Sequence, residues 1–180
     1  MSANYPAQSE TPLIQLAGVV NDSITDGPGI RLTVFVQGCP HHCPGCHNQQ
    51  TWDFAGGQPT TTEELWQQIQ QNPLLSGVTF SGGEPMAQAA ALLPLAQRIK
   101  QAGLELAIYT GYTFEQLLNL PDPAVRQLLE LADTLIDGPF ILAQRNLELN
   151  FRGSENQRIL KAAASLKEGR PVLEEAERWH

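Results

Sequence analysis

The chain has 180 residues and a formal net charge of -8, and its 11 Lys and Arg residues are scattered rather than clustered. Nucleic acids and anionic membranes attract clustered basic residues, so this composition argues against both as partners. A chain of this length most simply forms one domain, burying about 70% of its unfolded surface. It is too short for a complete eightfold α/β barrel, which typically needs about 250 residues.

Residues 1–12 are polar and rich in Ser, Gln, Pro and Thr, which predicts a flexible N-terminal lead-in. They lack the basic start and apolar stretch of a signal peptide, and no apolar run in the chain approaches the roughly 20 residues that span a bilayer. We therefore expect a cytoplasmic protein. A core domain at residues 13–167 and a frayed acidic tail at residues 168–180 complete the predicted division.

Strands and helices alternate along the predicted core. Apolar and β-branched runs predict five strands, at residues 13–20, 31–37, 78–80, 104–109 and 134–136. Helices are predicted at residues 60–71, 87–102 and 122–132, with a short one after Thr113 and a last one from about Arg152. Three pairs have the spacing of capping boxes: Thr60 with Glu63, Thr113 with Gln116, and Ser154 with Gln157. This alternation predicts an α/β fold with a mainly parallel sheet.

The loops that follow the parallel strands should meet at one edge of this sheet, because the crossovers are right-handed. They are the cysteine-containing loop, Gly82-Gly83-Glu84, Gly111-Tyr112 and Asp137-Gly138. Ligands of open α/β sheets bind at this carboxyl edge. We therefore expect the functional site there.

All the cysteines of the chain lie in one loop with the spacing C-x3-C-x2-C: Cys39, Cys43 and Cys46. Thiolates at such spacing are ligands for zinc or for iron-sulfur clusters. A closed zinc site would need a fourth ligand, and the loop offers His41, His42 and His47. Structural zinc sites usually draw a second ligand pair from a distant segment, which this chain lacks. We favour a cluster with one open iron, and the zinc site stays the alternative.

A glycine-rich turn follows the third predicted strand, at Ser81-Gly82-Gly83-Glu84-Pro85. Taken alone, it is an ordinary strand-to-helix turn. Two residues without side chains would also let the backbone approach a ligand closely. A ligand with amino and carboxylate groups would chelate an open iron, so the turn and the cysteine loop together predict a site for such a ligand.

The cysteine loop and the Gly82-Gly83-Glu84 turn together resemble the radical S-adenosylmethionine superfamily. Further motifs are similar to the activating enzymes of glycyl radical enzymes: Asp26-Gly27-Pro28-Gly29-Ile30-Arg31, Cys46-His47-Asn48 and Thr51-Trp52. Others resemble the branch that activates anaerobic ribonucleotide reductase: Tyr109-Thr110-Gly111-Tyr112, Asp137-Gly138, and Arg152-Gly153-Ser154 followed by Asn156-Gln157. The likeness covers residues 20–160 and implies a truncated, open (β/α) partial barrel as the radical core domain.

The resemblance implies roles for individual residues. Cys39, Cys43 and Cys46 would ligate one 4Fe-4S cluster. The methionine part of S-adenosylmethionine would contact Gly82, Gly83 and Glu84, and its nucleoside would lie near Gly45, Cys46 and His47. The protein partner would face Asp26, Gly27, Tyr112 and Asn156.

Structural roles stay open for some of these residues. Asp26 could be a turn residue that bonds its own backbone, and Tyr112 could be a packed aromatic. Asn156 lies, with Arg152, in the segment that helix capping also explains.

The resemblance implies reductive radical chemistry, with anaerobic ribonucleoside-triphosphate reductase as the protein substrate. An unidentified one-electron donor would reduce the cluster, and S-adenosylmethionine would be cleaved to a 5'-deoxyadenosyl radical that takes hydrogen from a glycine of the reductase. No side chain need act as acid or base. Three alternatives stay open: activation of another target, such as pyruvate formate-lyase or a small molecule; a non-catalytic zinc-binding module; or a one-electron carrier.

Overall fold

Strands and helices alternate through residues 12–180, the part of the chain that the computed structural model describes. The strands are β1 (Ile14–Ser23), β2 (Arg31–Val36), β3 (Gln58–Thr60), β4 (Gly77–Gly82), β5 (Glu105–Tyr109), β6 (Thr134–Asp137) and β7 (Arg158–Lys161). The α-helices are α1 (Thr62–Gln70), α2 (Ala89–Gln101), α3 (Phe114–Leu117), α4 (Pro123–Leu131) and α5 (Ala162–Glu168). The predicted lead-in at residues 1–12 lies outside this range, apart from Pro12. Within the range, no helix is long and apolar enough to cross a membrane.

The strands form one open sheet in the order β3-β1-β2-β4-β5-β6-β7. The central strands β2, β4, β5 and β6 run parallel. β1, β3 and β7 pair antiparallel at the two flanks. Each step from β2 to β6 moves in the same direction across the sheet, so right-handed crossovers place the connecting helices on one face. The prediction of an α/β fold with a mainly parallel, open sheet is confirmed.

The two faces of the sheet have different cores. Successive side chains of a strand point to opposite faces, and β5 shows the division. Leu106 and Ile108 belong to the main core, which also contains apolar residues of α1, α2 and α4. Ala107 lies in a smaller cluster with Trp179, and Tyr109 packs against it. The second face therefore lacks a full layer of helices, which leaves room for a cavity beside the strand ends.

Two predicted helix starts are confirmed. Thr113 and Gln116 form a capping box at the start of α3, in which each side chain accepts the backbone N–H of the other. Asp122 caps α4 by accepting the backbone N–H of Ala124, and Pro123 occupies the first helical position. Both starts depend on bonds within four residues, which a sequence pattern can specify.

The start of α1 lies one capping position later than predicted. Its capping box is formed by Thr61 and Glu64 rather than by Thr60 and Glu63. Thr60 instead ends β3, where it pairs with Ile14 of β1. The prediction missed β3 because this three-residue strand has no alternation of apolar and polar residues.

The prediction that a helix begins near residue 152 is wrong. Gln157 Oε1 accepts the backbone N–H of Ser154 at 3.2 Å, so this pair closes a turn instead of capping a helix. Arg158 then begins β7, where it pairs with Asp137 of β6. The Arg158 Nε donates to Asp137 Oδ1 at 2.9 Å. A contact between residues distant in sequence therefore overrides the local capping pattern, and the last α-helix begins only at Ala162.

The prediction of a frayed C-terminal tail is also wrong. The backbone N–H of Glu174 donates to the carbonyl oxygen of Ile159 at 2.8 Å, so the tail pairs with β7. Trp179 is 1% exposed, and its ring meets that of Phe151 edge-on at a centroid distance of 5.4 Å. The prediction relied on the acidic composition of the tail and overlooked the apolar contacts of Trp179 and Ala176.

Candidate active site

A cavity of about 530 Å³ lies at the carboxyl edge of the parallel strands. It is lined by residues from the loops after β2, β4, β5 and β6, which confirms the expected meeting of these loops. The lining includes the three cysteines, Gly82, Gly83, Gly111 and Gly138. The chain thus brings the cysteine loop and the glycine-rich turn to one site, although they are about 40 positions apart in the sequence.

Backbone hydrogen bonds fix the cysteine loop at both ends. The N–H of Gly38 donates to the carbonyl oxygen of Thr51 at 2.7 Å, and the N–H of Cys39 donates to that of Trp52 at 3.1 Å. Within the loop, the N–H of Cys46 donates to the carbonyl oxygen of Cys43 at 3.0 Å. The loop therefore has a defined path from the sheet into the cavity.

The three thiols are free, with Cys39 buried and the other two half-buried. Burial is the largest influence on Cys39 and Cys43, and it raises the pKa of both thiols. Both thiols therefore hold their protons more firmly than an exposed cysteine. Because metals bind the thiolate form, loading a metal here would release protons.

The donor set fits an iron-sulfur cluster better than a single zinc ion. Across residues 12–180, no group of three or more Cys, His, Asp or Glu side chains converges closely enough to hold one metal ion. Three cysteines that line a common cavity suit a larger cluster, whose irons take thiolates at separate corners.

The loop histidines, which the zinc alternative requires, have other contacts. His41 Nε2 lies 2.8 Å from Glu84 Oε2. The ring of His42 packs against Trp52, and that of His47 against Phe140. A closed zinc site with a histidine as fourth ligand is therefore not formed by the described residues.

Gly82 and Gly83 allow the end of β4 to lie directly against the chain that enters the cysteine loop. The N–H of Gly83 donates to the carbonyl oxygen of Val36 at 2.7 Å, and the N–H of Glu84 donates to that of Gly38 at 2.8 Å. A Cβ atom at position 83 would lie 2.3 Å from the Gly38 carbonyl oxygen. Gly82 has a φ of 95°, which also favours glycine. Both glycines are thus required by backbone packing, and both line the cavity.

Glu84 lies behind the cavity wall rather than in the lining. Its side chain is fully buried, and its carboxylate accepts hydrogen bonds from four donors. They are the backbone N–H groups of Met86 and Gly111, the Thr110 hydroxyl and the His41 imidazole, at 2.8 to 2.9 Å. The carboxylate predicted to contact S-adenosylmethionine therefore has protein partners on both oxygens.

Asp26 lines the cavity at the turn between β1 and β2. Its Oδ2 accepts hydrogen bonds from the Ser23 hydroxyl at 2.5 Å and the Thr33 hydroxyl at 3.0 Å. The side chain is therefore held by hydroxyls, not by its own backbone. The adjacent Gly27 has a φ of 136°, and a Cβ atom there would lie 2.8 Å from Arg31 Cδ.

Of the three residues predicted to lie near the nucleoside, Cys46 and His47 line the cavity, whereas Gly45 does not. His47 lines the cavity, with its ring centroid 5.4 Å from that of Phe140. Gly45 has a φ of 75° and lies outside the lining. This left-handed backbone conformation, more than any contact of a Cβ atom, favours glycine at position 45.

Tyr112 and Asn156 both make contacts within the protein. Tyr112 packs edge-on against His41 at a centroid distance of 4.4 Å, and burial raises the pKa of its hydroxyl. Asn156 Nδ2 donates to the carbonyl oxygen of Pro139 at 2.7 Å, and its Oδ1 accepts the Ser154 hydroxyl at 2.7 Å. Neither residue lines the cavity, whereas Arg152 does.

Several aromatic residues of the lining were not identified from the sequence. They are Phe35, Phe140 and Phe151. Phe35 could have been found from the alternation in β2, because its neighbours Val34 and Val36 are in the main core and it must point to the opposite face. The other two lie in irregular segments, where the sequence carries no periodic signal.

Comparison with known proteins agrees with this geometry. Residues 25–160 match the family described as a 4Fe-4S single cluster domain. The anaerobic ribonucleoside-triphosphate reductase-activating protein of Vibrio cholerae is 38% identical over 144 residues, which cover 76% of this chain and 90% of the relative. The pyruvate formate-lyase-activating enzyme of Clostridium pasteurianum is 39% identical over 119 residues, covering 61% and 50%.

A solved structure, that of QueE from Escherichia coli, has a TM-score of 0.43 at 22% identity and covers 57% of this chain and 53% of its own. That likeness is too weak to carry an argument. The family match and the extent of the sequence identity are sufficient without it. The chain belongs to the radical S-adenosylmethionine family of anaerobic ribonucleoside-triphosphate reductase-activating proteins.

Proposed function

We propose that the protein activates an anaerobic ribonucleoside-triphosphate reductase by radical chemistry on S-adenosylmethionine. When bound, a reduced 4Fe-4S cluster supplies the electron that splits S-adenosylmethionine into methionine and a 5'-deoxyadenosyl radical, which takes hydrogen from a glycine of the reductase. The observation that carries the proposal is the presence of three free cysteines around one cavity at the carboxyl edge of the sheet. The similarity to reductase-activating proteins supports the choice of partner.

The residues of this chain hold and orient the reactants in this proposal. Cys39, Cys43 and Cys46 ligate the cluster through their thiolates. Gly82 and Gly83 form a wall without side chains, which the methionine part of the ligand can approach closely. Catalysis then depends on orientation, and no side chain transfers a proton as acid or base.

The buried carboxylate of Glu84 supports this wall, and contact with the ligand would need one of its present hydrogen bonds to be exchanged. His47 provides an aromatic ring for the nucleoside, with Gly45 shaping the loop before it. The need for reduced thiols favours a cytoplasmic setting.

The partner contacts are proposed at the turn that contains Asp26 and Gly27. Asp26 lines the cavity, so it lies beside any protein segment that enters it. Tyr112 and Asn156 would act indirectly, because both are engaged inside the fold. A separate one-electron donor is also required, since the chain contributes no other redox centre to this proposal.

The test begins with the anaerobic protein reconstituted with iron and sulfide, reduced, and supplied with S-adenosylmethionine. We expect 5'-deoxyadenosine to form, and a glycyl radical signal to appear when the reductase is added. Cys39→Ser, Cys43→Ser and Cys46→Ser should each abolish both. The exposed variant Arg126→Gln on α4 serves as a control and should retain them.

Other outcomes identify the alternatives. A colourless zinc protein without cleavage would indicate a zinc-binding module. A cluster that passes electrons but does not cleave S-adenosylmethionine would indicate an electron carrier. Either result contradicts the proposal.

A second candidate target is favoured by one observation. A pyruvate formate-lyase-activating enzyme is 39% identical over 119 residues, which cover 61% of the present chain. Supplying pyruvate formate-lyase in place of the reductase separates the two: we expect no glycyl radical in the lyase. A glycyl radical in the lyase and none in the reductase would support the proposed radical chemistry but would identify pyruvate formate-lyase as the partner.

A further inference from the structure

His41 joins the cysteine loop to the neighbouring strand ends. It lies between Cys39 and Cys43 in the sequence and lines the cavity, with 17% of its side chain exposed. Its Nε2–H donates to Oε2 of Glu84 at 2.8 Å. Because the Glu84 side chain is fully buried, each donor to its carboxylate has a large influence on the local structure.

The space that His41 occupies is shaped for its ring. A Cβ atom at Gly111 would lie 2.4 Å from His41 Cδ2. Gly111 has no positive φ, so its missing side chain is required by the ring and not by the backbone conformation. The next residue, Tyr112, packs edge-on against the imidazole at 4.4 Å. Gly111 and Tyr112, in the loop after β5, thus form the packing site for the ring of His41, which comes from the loop after β2.

Glu84 holds the chain on both sides of Cys39. Its backbone N–H donates to the carbonyl oxygen of Gly38 at 2.8 Å, and its carboxylate accepts the His41 imidazole. The same carboxylate also accepts the Gly111 N–H. One buried residue at the end of β4 therefore connects the first cysteine with the loop after β5.

We propose that His41 is a positioning residue: through Glu84 it fixes Cys39 relative to the Gly82-Gly83 wall, and so sets where the cluster stands with respect to S-adenosylmethionine. This inference rests on the proposed function for its effect on the reaction. The contacts of His41 with Glu84 and Tyr112 exist in the protein without any cofactor. Its loss would leave the segment from Cys39 to Cys43 held mainly by backbone bonds at its ends.

The test compares His41→Leu, which cannot donate to Glu84, with His41→Gln, whose amide can. Gln49→Leu is the control, because Gln49 is exposed in the same loop between β2 and β3 and is not among the donors to the Glu84 carboxylate. In the metal-free protein, the rate of Cys39 alkylation by iodoacetamide is measured by mass spectrometry. We expect it to rise severalfold in His41→Leu and to stay near that of the parent in the other two variants.

In the reconstituted protein, S-adenosylmethionine cleavage is measured without any reductase. We expect His41→Leu to lower its rate about ten- to a hundredfold, as displacement of aligned reactants does. The change that S-adenosylmethionine causes in the EPR spectrum of the reduced cluster should weaken as well. In His41→Gln, most of the cleavage rate and most of the EPR change should be retained. A role of His41 in filling space alone would not predict this difference between Gln and Leu.

Gly111→Ala provides a second route if His41→Leu does not fold. This substitution keeps the histidine, but the new Cβ atom would occupy the space of the His41 ring. It should therefore reproduce the increased alkylation of Cys39. Unchanged Cys39 alkylation in folded His41→Leu or Gly111→Ala would overturn the inference. If the parent protein itself cleaves no S-adenosylmethionine, the proposed function fails, whereas the alkylation experiment still decides the role of His41.

Discussion

Gly83→Ala is the most direct test of how the cavity wall is built. The new Cβ atom would lie 2.3 Å from the Gly38 carbonyl oxygen, whereas ordinary contact begins at about 3.4 Å, so the two segments must separate by about 1 Å. That movement would break the bonds from Gly83 N–H to Val36 and from Glu84 N–H to Gly38, now 2.7 and 2.8 Å long. Each buried group left without a partner costs about 1–3 kcal/mol. The two N–H groups together therefore predict a loss of about 2–6 kcal/mol in the free energy of unfolding.

The measurement is urea unfolding of the metal-free protein, followed by circular dichroism. Gly18→Ala is the matched control, since a Cβ atom at Gly18 meets no other atom within 4 Å and its φ is not positive. The control should be neutral or more stable by up to about 1 kcal/mol. If Gly83→Ala were as stable as the control, β4 could not lie against the cysteine loop as described, and the reasoning about the wall would be refuted.

Two further predictions concern regions away from the cavity wall. Hydrogen bonding to Arg158 lowers the pKa of Glu115 from 4.5 to about 2, so the ionised pair stabilises the fold above pH 4.5 and this stabilisation is lost as the pH falls towards 2. Glu115 is more than half exposed, so Glu115→Gln should reduce the pH dependence of unfolding between pH 6 and pH 3 by no more than about 1 kcal/mol, and a larger change would contradict this assignment. Trp179→Ala should cost about 3–5 kcal/mol in urea unfolding, because the ring is buried, whereas Leu173→Ala at an exposed position should change little; equal effects would mean that the tail is not anchored by its tryptophan.

Local signals predicted the parts of the fold that depend on neighbouring residues. The caps at Thr113 and Asp122 need only side chains and N–H groups within a few positions, and both form as expected. The strand β7 and the anchored tail depend on contacts with β6 and Phe151, which the sequence pattern does not reveal. The turn at Ser154 had a capping pattern that tertiary pairing overrode.

The functional site also has parts that the sequence predicted and parts that depend on contacts between distant residues. The spacing of the cysteines and the βα order were enough to place Cys39 and Gly83 at one edge of the sheet. The sequence could not show that Glu84 turns away from the cavity, because this depends on donors contributed by His41 and Gly111. A glycine that makes room for a side chain of another loop has the same letter as one that makes a turn, and only the assembled structure distinguishes them.

Buried charged groups connect the starts or ends of different strands at both edges of this sheet. Glu84 links the loops after β2, β4 and β5; Asp137 binds Arg158 of β7; and buried Arg31 donates to Glu105 at the start of β5. Such groups add little net stability when well paired, but removing one partner is costly, so they fix relative positions more than they strengthen the core. Fixing relative positions is useful in a site that must hold a cluster and its ligand at a set separation. In the proposed function, Glu84 would have this positioning role for the cysteine loop, because it lies behind the cavity wall and binds the chain on both sides of Cys39.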